Sequence, residues 1–329
     1  MRPQCMNDRP ILRTAAVALA LAFAAACSTT RRLASDEVLY TGVGKIRIEP
    51  DSGVTVSPAA ASAAREPLSV APNNPLYSPY VRTPLPIGLW AYNYLYTPRE
   101  KGFKYWFYKR LAKEPVLISK VQPSLRAKVA EQALENHGYF GSRAADTLLY
   151  RKRGRKARVS YRLRVAPPWH YEGIAYPTAG GALQPLLDSL RSTSLLREGA
   201  QYNLDTLTLE RRRMAQSLRE RGYYYFRPEY LEYQADTTLS PRGVALRLNL
   251  KSDAPAVALK PYRVGKVTVR LTDPKPGRPD TLRLRGAEVI AQRPMRIRPR
   301  LLSRALTLER GELFTVGAQD RTLTNLNKL

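Results

Sequence analysis

Hydrophobic and polar positions form a pattern that recurs along the chain and predicts one run of elements more than once. In the clearest copy, leucines and a methionine repeat at helical spacing after Asn203, a residue type that caps helix N-termini. Gly222 then ends the helix, aromatic residues follow, and positions 244–250 alternate as in a strand. This copy predicts a helix, a Gly-Tyr turn, a strand, a turn and a second strand.

A second copy lies upstream and has the same spacing. Its helix ends at Gly138, and an alternating strand covers positions 159–165. In both copies a leucine lies four residues before the glycine, at Leu134 and at Leu218. Repetition at this scale predicts tandem domains of one kind.

A third copy begins downstream, where the run GELFTVGAQDRTLTNLNKL resembles GAQYNLDTLTLERRRMAQSL. Thr315 takes the position of Asn203, and Leu326 takes that of Leu218. The sequence stops at Leu329, where the helix-ending glycine is expected. We therefore expect the chain to be a fragment cut inside the third copy.

Further elements precede these copies and complete the repeat. A strand is predicted before each copy and a helix before the second and third, so the full unit is strand, helix, helix, strand, strand. The predicted fold class is therefore α+β, with tandem β-α-α-β-β domains. The predicted first strands lie near 38–50, 170–176 and 262–271, and the first helices near 183–190 and 299–306.

The N-terminus has the pattern of an export signal. Arginines precede a short apolar segment, Ala15–Ala26, which is too short to span a bilayer comfortably. Small residues stand directly before Cys27, as at lipoprotein cleavage sites, although Ala24 occupies a position that usually carries leucine. We expect lipidation at Cys27, with acyl chains that hold the protein on a membrane. The alternative is an ordinary secretory signal in which Cys27 has no role.

Cysteine content and charge add two constraints. Cys5, the only other cysteine, lies in the segment expected to be removed, so we expect no internal disulfide in the mature chain. The formal net charge is +27 over 329 residues, which at first suggests nucleic acid. An exported lipoprotein seldom meets nucleic acid, so we expect no such partner. The cations either form solvated faces or attract anionic lipid headgroups and acidic segments.

Residues 73–120 crowd aromatic side chains between prolines. Because proline interrupts helices, the segment predicts only short ones, near 87–96 and 102–112. Three interpretations remain open: a membrane-interface patch, a polysaccharide-binding surface, or the core and cover of the first domain. The candidate residues for an interface patch are Trp90, Tyr94, Trp106 and Tyr108.

The Gly-Tyr signals and the N-terminal run together resemble a known family. Helices ending in HGYF (137–140) and RGYY (221–224) are similar to the second helix of POTRA (polypeptide-transport-associated) domains. The runs CSTT (27–30), NNPLYSPYVRTPLPIGLWAYN (73–93) and GFKYWFYKRLAKEPVLIS (102–119) are similar to the lipoprotein form of the TamA/BamA outer-membrane assembly family, sometimes called TamL. That family ends in a membrane β-barrel, and we expect no barrel within residues 1–329.

The resemblance covers about Cys27 to Leu329 and implies a division into domains. Each domain is expected to hold a three-stranded mixed sheet with two helices on one face. The implied parts are a lipoprotein signal peptide (1–27), a tether (28–37), a POTRA-like domain with a Pro/aromatic-rich insertion (38–166), a second POTRA-like domain (168–253) and a truncated third (261–329).

The resemblance also implies a role in the assembly or translocation of outer-membrane proteins. We expect a lipid-anchored periplasmic scaffold at the outer membrane of a diderm bacterium. Its expected partners are unfolded outer-membrane β-barrel proteins, other subunits of the assembly machinery, and outer-membrane lipid.

An edge strand can accept a client strand through backbone hydrogen bonds, without sequence specificity. The candidate edge is 223–233, where Pro228 favours an edge position. The alternative is that its aromatic side chains pack on their own helices. The predicted client-contact residues are Tyr223, Tyr224, Phe226, Tyr230 and Tyr233.

Candidate chemistry is sparse. His137 and His170 lie in separate units, and the sequence has no metal-binding spacing, nucleophile elbow or phosphate-binding loop. We expect no enzymatic activity and no cofactor or metal. The main alternative to the scaffold is a cell-wall or glycan-binding outer-membrane lipoprotein that uses the aromatic insertion, and a wall hydrolase is the third hypothesis.

Overall fold

The structure is a computed structural model. It describes residues 29–73, 86–98, 100–178, 181–272, 277–284, 286–292 and 297–329, together with residues 275 and 294. These residues form two compact units. The first takes in the described residues up to Glu135 and Tyr139–Pro167, and the second takes in Asn136–Gly138 and Pro168–Leu329. The predicted signal peptide and Cys27 lie outside the described residues.

The first unit is built on a three-stranded mixed sheet. Its strands, β1 (Leu39–Pro50), β2 (Arg143–Arg151) and β3 (Lys156–Val165), lie in the order β1-β3-β2. The central strand β3 runs parallel to β1 and antiparallel to β2. Alternate residues of β3 are buried and the arginines between them are exposed, because successive side chains of a strand point to opposite faces. This confirms the predicted mixed sheet.

Among the described residues, five α-helices lie between β1 and β2 in sequence. Their bounds are α1 (Pro58–Arg65), α2 (Ile87–Tyr94), α3 (Phe103–Leu111), α4 (Ile118–Val121) and α5 (Pro123–Asn136). Helices α1 and α5 pack on one face of the sheet through alanines and Leu134. The sequence predicted no first helix in this unit. It missed α1 because the segment looks like an Ala/Ser/Pro-rich loop, yet Ser57 caps this alanine run by accepting from the Ala60 amide at 3.3 Å.

Residues 168–253 follow the predicted order of elements. These are β4 (His170–Ala175), α6 (Gln184–Arg191), α7 (Leu204–Arg219), β5 (Leu231–Asp236) and β6 (Gly243–Leu250), with strand order β4-β6-β5. Asn203 caps α7 as predicted, since its Oδ1 accepts from the Asp205 amide at 2.8 Å. Residues Leu187, Met214, Leu218 and Leu248 join both helices to the sheet in a buried core.

The last segment departs from the predicted order. Its elements are β7 (Val267–Leu271), β8 (Asp280–Leu284), β9 (Ala287–Ala291), α8 (Pro299–Ala305) and α9 (Val316–Leu326), with strand order β7-β9-β8. Two strands therefore lie where the repeat predicted none. Gly286, at φ +81°, allows the tight turn between β8 and β9. Thr315 caps α9 through the Ala318 amide at 3.1 Å, as the repeat predicted.

Short 3-10 helices complete the secondary structure of the described chain. They cover Glu66–Leu68, Gly181–Leu183, Pro228–Tyr230 and Ala256–Leu259.

Candidate functional site

The predicted client-binding edge begins later in the chain than the sequence indicated. Strand β5 lies at the edge of its sheet, but it starts at Leu231. Residues 223–226 form turns, in which the Phe226 amide donates to the Tyr223 carbonyl at 2.9 Å. The strand predicted over 223–230 is therefore wrong. Because Pro228 has a fixed φ and no N–H, it suits the first turn of the 3-10 helix that contains it.

Two of the predicted contact residues lie in the hydrophobic core. Tyr223 is 2% exposed and Phe226 is 1% exposed. Tyr230 is half-buried against Phe226, with ring centroids 5.8 Å apart. These three side chains pack in or against the core that joins the sheet to its helices. The side chains of Tyr223 and Phe226 are too buried to contact a client.

Tyr233 is the one predicted contact residue inside β5. Its side chain packs against the buried clusters of the domain, and burial raises the pKa of its hydroxyl well above the ordinary value. The backbone of β5, rather than its tyrosine, is therefore the feature that an added strand would contact.

The outward backbone groups of β5 can be identified from its neighbours. The Lys251 amide, which follows β6, donates to the Tyr230 carbonyl at 2.8 Å, so this carbonyl points toward β6. Arg211 Nη1 donates to the Leu231 carbonyl at 3.3 Å, so this group points away from β6. Because inward and outward groups alternate along an antiparallel pair, the next outward groups belong to Tyr233 and Ala235.

Strand β2 forms a longer edge in the first unit. The Ala144 amide donates to Glu131 Oε1 at 2.6 Å, which shows that it points away from β3. The same alternation directs the backbone groups of Asp146, Leu148 and Tyr150 outward. The sequence signal for this edge is weak, because 143–151 lacks the aromatic run that marks 223–233.

The remaining predicted contact residue, Tyr224, packs against the last segment of the second unit, and so does its neighbour Tyr225. Tyr224 lies edge-on to Phe314 at 4.7 Å between ring centroids, and Tyr225 lies edge-on to Tyr262 at 5.1 Å. The Gly222 carbonyl accepts from the Tyr262 amide at 2.8 Å. These tyrosines therefore belong to a joint between consecutive segments of the chain.

A carboxylate strengthens this joint. Glu220 accepts from the Gly317 amide at 2.9 Å and 3.2 Å through its two oxygens. Gly317 lies in the first turn of α9, where free amides and the helix dipole favour a negative charge. Glu220, which directly follows α7, thus binds a free amide at the N-terminus of α9.

The same arrangement recurs within the second unit at Gly138. Its carbonyl accepts from the Trp169 amide at 2.8 Å, as the Gly222 carbonyl does from Tyr262. The His137 carbonyl accepts from Gln201 Nε2 at 2.7 Å. The sequence pattern identifies the glycine of each Gly-Tyr pair only as the end of a helix. The joint was missed because its partners lie 31 and 40 residues further along the chain (169 − 138 and 262 − 222).

Glu210 is a buried carboxylate that ties α7 to the loop after α6. It is fully buried and accepts from Arg213 Nη2 at 2.7 Å, Ser194 Oγ at 2.9 Å and the Leu195 amide at 3.1 Å. Burial alone would raise the pKa of the Glu210 carboxyl. The hydrogen bonds from Arg213, Leu195 and Ser194 outweigh burial and hold this pKa below its usual value.

The four candidate interface residues do not form one patch. Trp90, Tyr94 and Tyr108 are half-buried in or beside the α2–α3 pair, and the Tyr108 ring lies edge-on to Tyr96 at 5.6 Å. Burial is the first cause that raises the pKa of Tyr108. Trp106 is 59% exposed and lies on the outer side of α3. Trp90, Tyr94 and Tyr108 therefore fit the interpretation that the aromatic segment packs on the first domain. That interpretation does not account for the exposure of Trp106.

The open face of the first sheet carries most of the cations in that sheet. Its register places Arg47 opposite Arg162 and Arg143 opposite Arg164, so like charges face each other across strands. Glu49 is the one carboxylate among them, 3.6 Å from Arg162. The cations of this face are Lys45, Arg47, Arg143, Arg151, Lys156, Arg158, Arg162 and Arg164.

The open face of the second sheet has the opposite balance. Arg247 lies there opposite Gln234, and the acidic residues of the same face are Glu172, Glu232 and Asp236. The open face of the first sheet is thus cationic, whereas that of the second sheet is not.

The described residues contain neither a cluster of metal-ligand side chains nor a membrane-spanning helix. Within the described ranges, no three His, Cys, Asp or Glu side chains come together as metal ligands would. No helix in the described part of the chain is both long and apolar enough to cross a membrane.

Comparison with known proteins gives matches among solved structures. No protein-family model and no curated protein matches the chain. POTRA domains 3–5 of BamA from Haemophilus influenzae match with a TM-score of 0.42 and 9% identity, over 90% of this chain and 88% of that chain. POTRA domains 1–3 of the periplasmic domain of Omp85 from Anabaena match with a TM-score of 0.27 and 14% identity, over 90% and 86%. BamA from Haemophilus ducreyi lacking POTRA domains 1–3 matches with a TM-score of 0.31 and 13% identity, over 64% of this chain and 29% of that chain.

Proposed function

We propose that this chain is a non-enzymatic periplasmic scaffold of an outer-membrane protein assembly factor that holds unfolded clients by strand addition. The observation that carries the proposal is the pair of sheet edges, β2 in the first unit and β5 in the second. Outward N–H and C=O groups in a row are a template on which an extended chain can add a strand. Because the bonds are formed by backbone, clients of many sequences can be accepted.

The two edges differ in the length that they offer. Three residues of β2 direct backbone groups outward after Ala144, and two residues of β5 do so after Leu231. Each backbone hydrogen bond contributes on the order of 1 kcal/mol net. We therefore expect β2 to bind a client more tightly than β5.

The sequence supports the cellular setting of the proposal. An export signal followed by Cys27 implies a lipid anchor at the outer membrane, with the described domains in the periplasm. The expected clients are unfolded outer-membrane β-barrel proteins. Other subunits of the assembly machinery are the expected stable partners.

Proline at an outward position tests strand addition. Asp146→Pro and Tyr150→Pro in β2, and Ala235→Pro in β5, each remove an outward donor and leave the bonds to the central strand in place. Tyr150→Ser and Ala235→Ser are matched controls, because they change the side chain and keep the N–H. The probe is a urea-unfolded outer-membrane β-barrel protein, diluted into buffer with the full chain and followed by fluorescence anisotropy.

We expect each proline variant in β2 to bind the probe about tenfold more weakly, since one lost bond and local distortion together cost roughly 1.4 kcal/mol. The serine variants should bind as the unaltered chain does. Unchanged binding by all three proline variants, with circular dichroism showing that each is folded, would sink the proposal.

A further inference from the structure

We propose that the outer side of α3 is a membrane-interface anchor that lies in the headgroup region of a bilayer containing anionic lipid. The contact surface consists of Phe103, Trp106 and Phe107, called here the α3 aromatic face. These residues are spaced i, i+3 and i+4, so they share one side of the helix. The proposal does not depend on the client edges of β2 and β5.

Two of the three rings of the α3 aromatic face are open to solvent, and Phe107 is half-buried. Phe103 is 77% exposed and Trp106 is 59% exposed. No residue of α3 is buried. Contiguous exposed apolar surface of this kind marks a site that contacts a membrane or another molecule.

The rings form one cluster rather than three separate side chains. Phe103 lies 4.7 Å from Phe107 and 6.3 Å from Trp106, between ring centroids. Trp106 and Phe107 lie 4.9 Å apart at an interplanar angle of 88°. Because the rings contact one another, they present one continuous apolar surface to a bilayer.

The opposite side of α3 fixes this orientation. Tyr108 packs against Tyr92 and Tyr96 of the preceding segment, with ring centroids 6.5 Å and 5.6 Å away. Because these contacts hold α3 against α2, its aromatic face must point outward.

Charge identifies a bilayer as the occupant. The sequence of α3, FKYWFYKRL, has three cations, Lys104, Lys109 and Arg110, and no carboxylate. Aromatic rings with flanking Lys and Arg are the composition of helices that lie in a membrane interface, where the cations reach anionic headgroups.

A glycan fits this face less well. No acidic or amide side chain lies within the helix to bind hydroxyl groups.

The chain that follows the predicted lipidation site is held on α2, beside α3. Asn93 Nδ2 donates to the Thr29 carbonyl at 3.3 Å, and the Arg32 amide donates to Asn93 Oδ1 at 3.0 Å. Thr29 follows Cys27 by two positions, a length of chain that reaches at most about 7 Å. A lipid on Cys27 and the α3 aromatic face would therefore meet the same membrane, and a second contact of this kind strengthens an acyl anchor.

The test uses the full chain with Cys27→Ser, so that no acyl group contributes. In this background, Trp90→Phe and Trp169→Phe leave Trp106 as the single tryptophan. The probe is a vesicle of phosphatidylethanolamine and phosphatidylglycerol, with lipids brominated at shallow or deep carbons. We expect Trp106 emission to shift to the blue on vesicles and to be quenched more by shallow than by deep bromine.

A second measurement removes the face itself. Vesicle flotation of Phe103→Ser/Trp106→Ser, with Tyr150→Ser as the control for an exposed aromatic elsewhere, should show about a tenfold loss of affinity in the first variant only. Both variants carry Cys27→Ser and the same N-terminal apolar segment, so any vesicle binding by that segment contributes equally to the two affinities. Equal flotation of both variants, or Trp106 emission that vesicles do not change, would overturn the proposal. So would a blue shift produced without lipid, either by peptidoglycan fragments or by raising protein concentration, since that would assign the face to the cell wall or to a second copy.

Discussion

The Tyr262 amide donates to the Gly222 carbonyl at 2.8 Å, and the Trp169 amide donates to the Gly138 carbonyl at the same distance. Both glycines end a helix of the repeat and have positive φ, +96° and +87°. In each case the residue that donates opens the next segment of chain. The glycine that ends each helix is therefore also the residue to which the next segment of chain hydrogen-bonds. The Gly-Tyr signal that repeats in the sequence thus marks a contact that repeats in the structure.

The first prediction concerns the close approach at Gly138. A Cβ at this position would lie 2.6 Å from the Tyr202 carbonyl oxygen, a backbone atom that cannot easily move. Gly138→Ala should therefore destabilise the second unit by about 2–4 kcal/mol, from strain at positive φ and from the clash. Urea denaturation of the full chain measures the change.

Gly154→Ala is the matched control. Gly154 has a similar φ of +83°, but a Cβ there meets no atom within 4 Å. It should cost only the backbone strain, about 1 kcal/mol. Equal losses in the two variants would contradict a docking role for Gly138.

The second prediction concerns the buried Glu210. Glu210→Gln should lower the free energy of unfolding by about 2–3 kcal/mol near pH 7, because Arg213 loses its charged partner in a site with little solvent. Glu114→Gln, which removes an exposed carboxylate 3.8 Å from Lys120, should have little effect.

The pH dependence of Glu210 has a definite sign. Its folded pKa lies below the unfolded value, so its stabilisation is complete above the unfolded pKa and is lost as the pH falls through the folded pKa. The unaltered chain should lose stability below about pH 4.5 more steeply than Glu210→Gln does. If the free energy of unfolding fell with equal slope below pH 4.5 in the two proteins, a group other than Glu210 would dominate acid unfolding.

The third prediction concerns the like charges on the first sheet. Arg47 faces Arg162 across the β1–β3 pair, an arrangement that costs stability. Arg47→Thr should stabilise the first unit by about 0.3–1 kcal/mol at low salt. The gain should disappear at roughly 1 M salt, where the screening length falls to about 3 Å.

Arg247→Thr provides the control for this prediction. Arg247 occupies the central strand of the second sheet opposite Gln234, without a facing cation. Its replacement should give no gain at low salt. A gain as large as that of Arg47→Thr would show that the general net charge of the chain, rather than the facing pair, is responsible.

The features that the sequence predicted well depend on neighbouring residues. Asn203 and Thr315 cap helices because each bonds amides two or three positions ahead. The order of elements in 168–253 likewise follows local periodicity. The strands β8 and β9 were missed because a Pro/Gly-rich run before them was interpreted as a turn.

The candidate site was harder to predict, because it depends on contacts between distant residues. An aromatic run such as 223–226 looks the same in a strand and in a turn, and only packing shows that Tyr223 and Phe226 are buried. Trp106 and Tyr108 stand two residues apart, yet one faces solvent and the other faces α2. The sequence identifies Trp106 and Tyr108 as candidate interface residues, but it does not show which of them faces solvent and which faces α2.

The most direct test of the scaffold account is residue-resolved hydrogen exchange of the full chain, with and without an unfolded outer-membrane β-barrel protein. Strand addition predicts that the outward amides of Asp146, Leu148 and Tyr150 gain protection when the client is present. The amides of Tyr233 and Ala235 should gain less. Protection confined to helices, with these five amides exchanging as fast as in the free chain, would contradict the account.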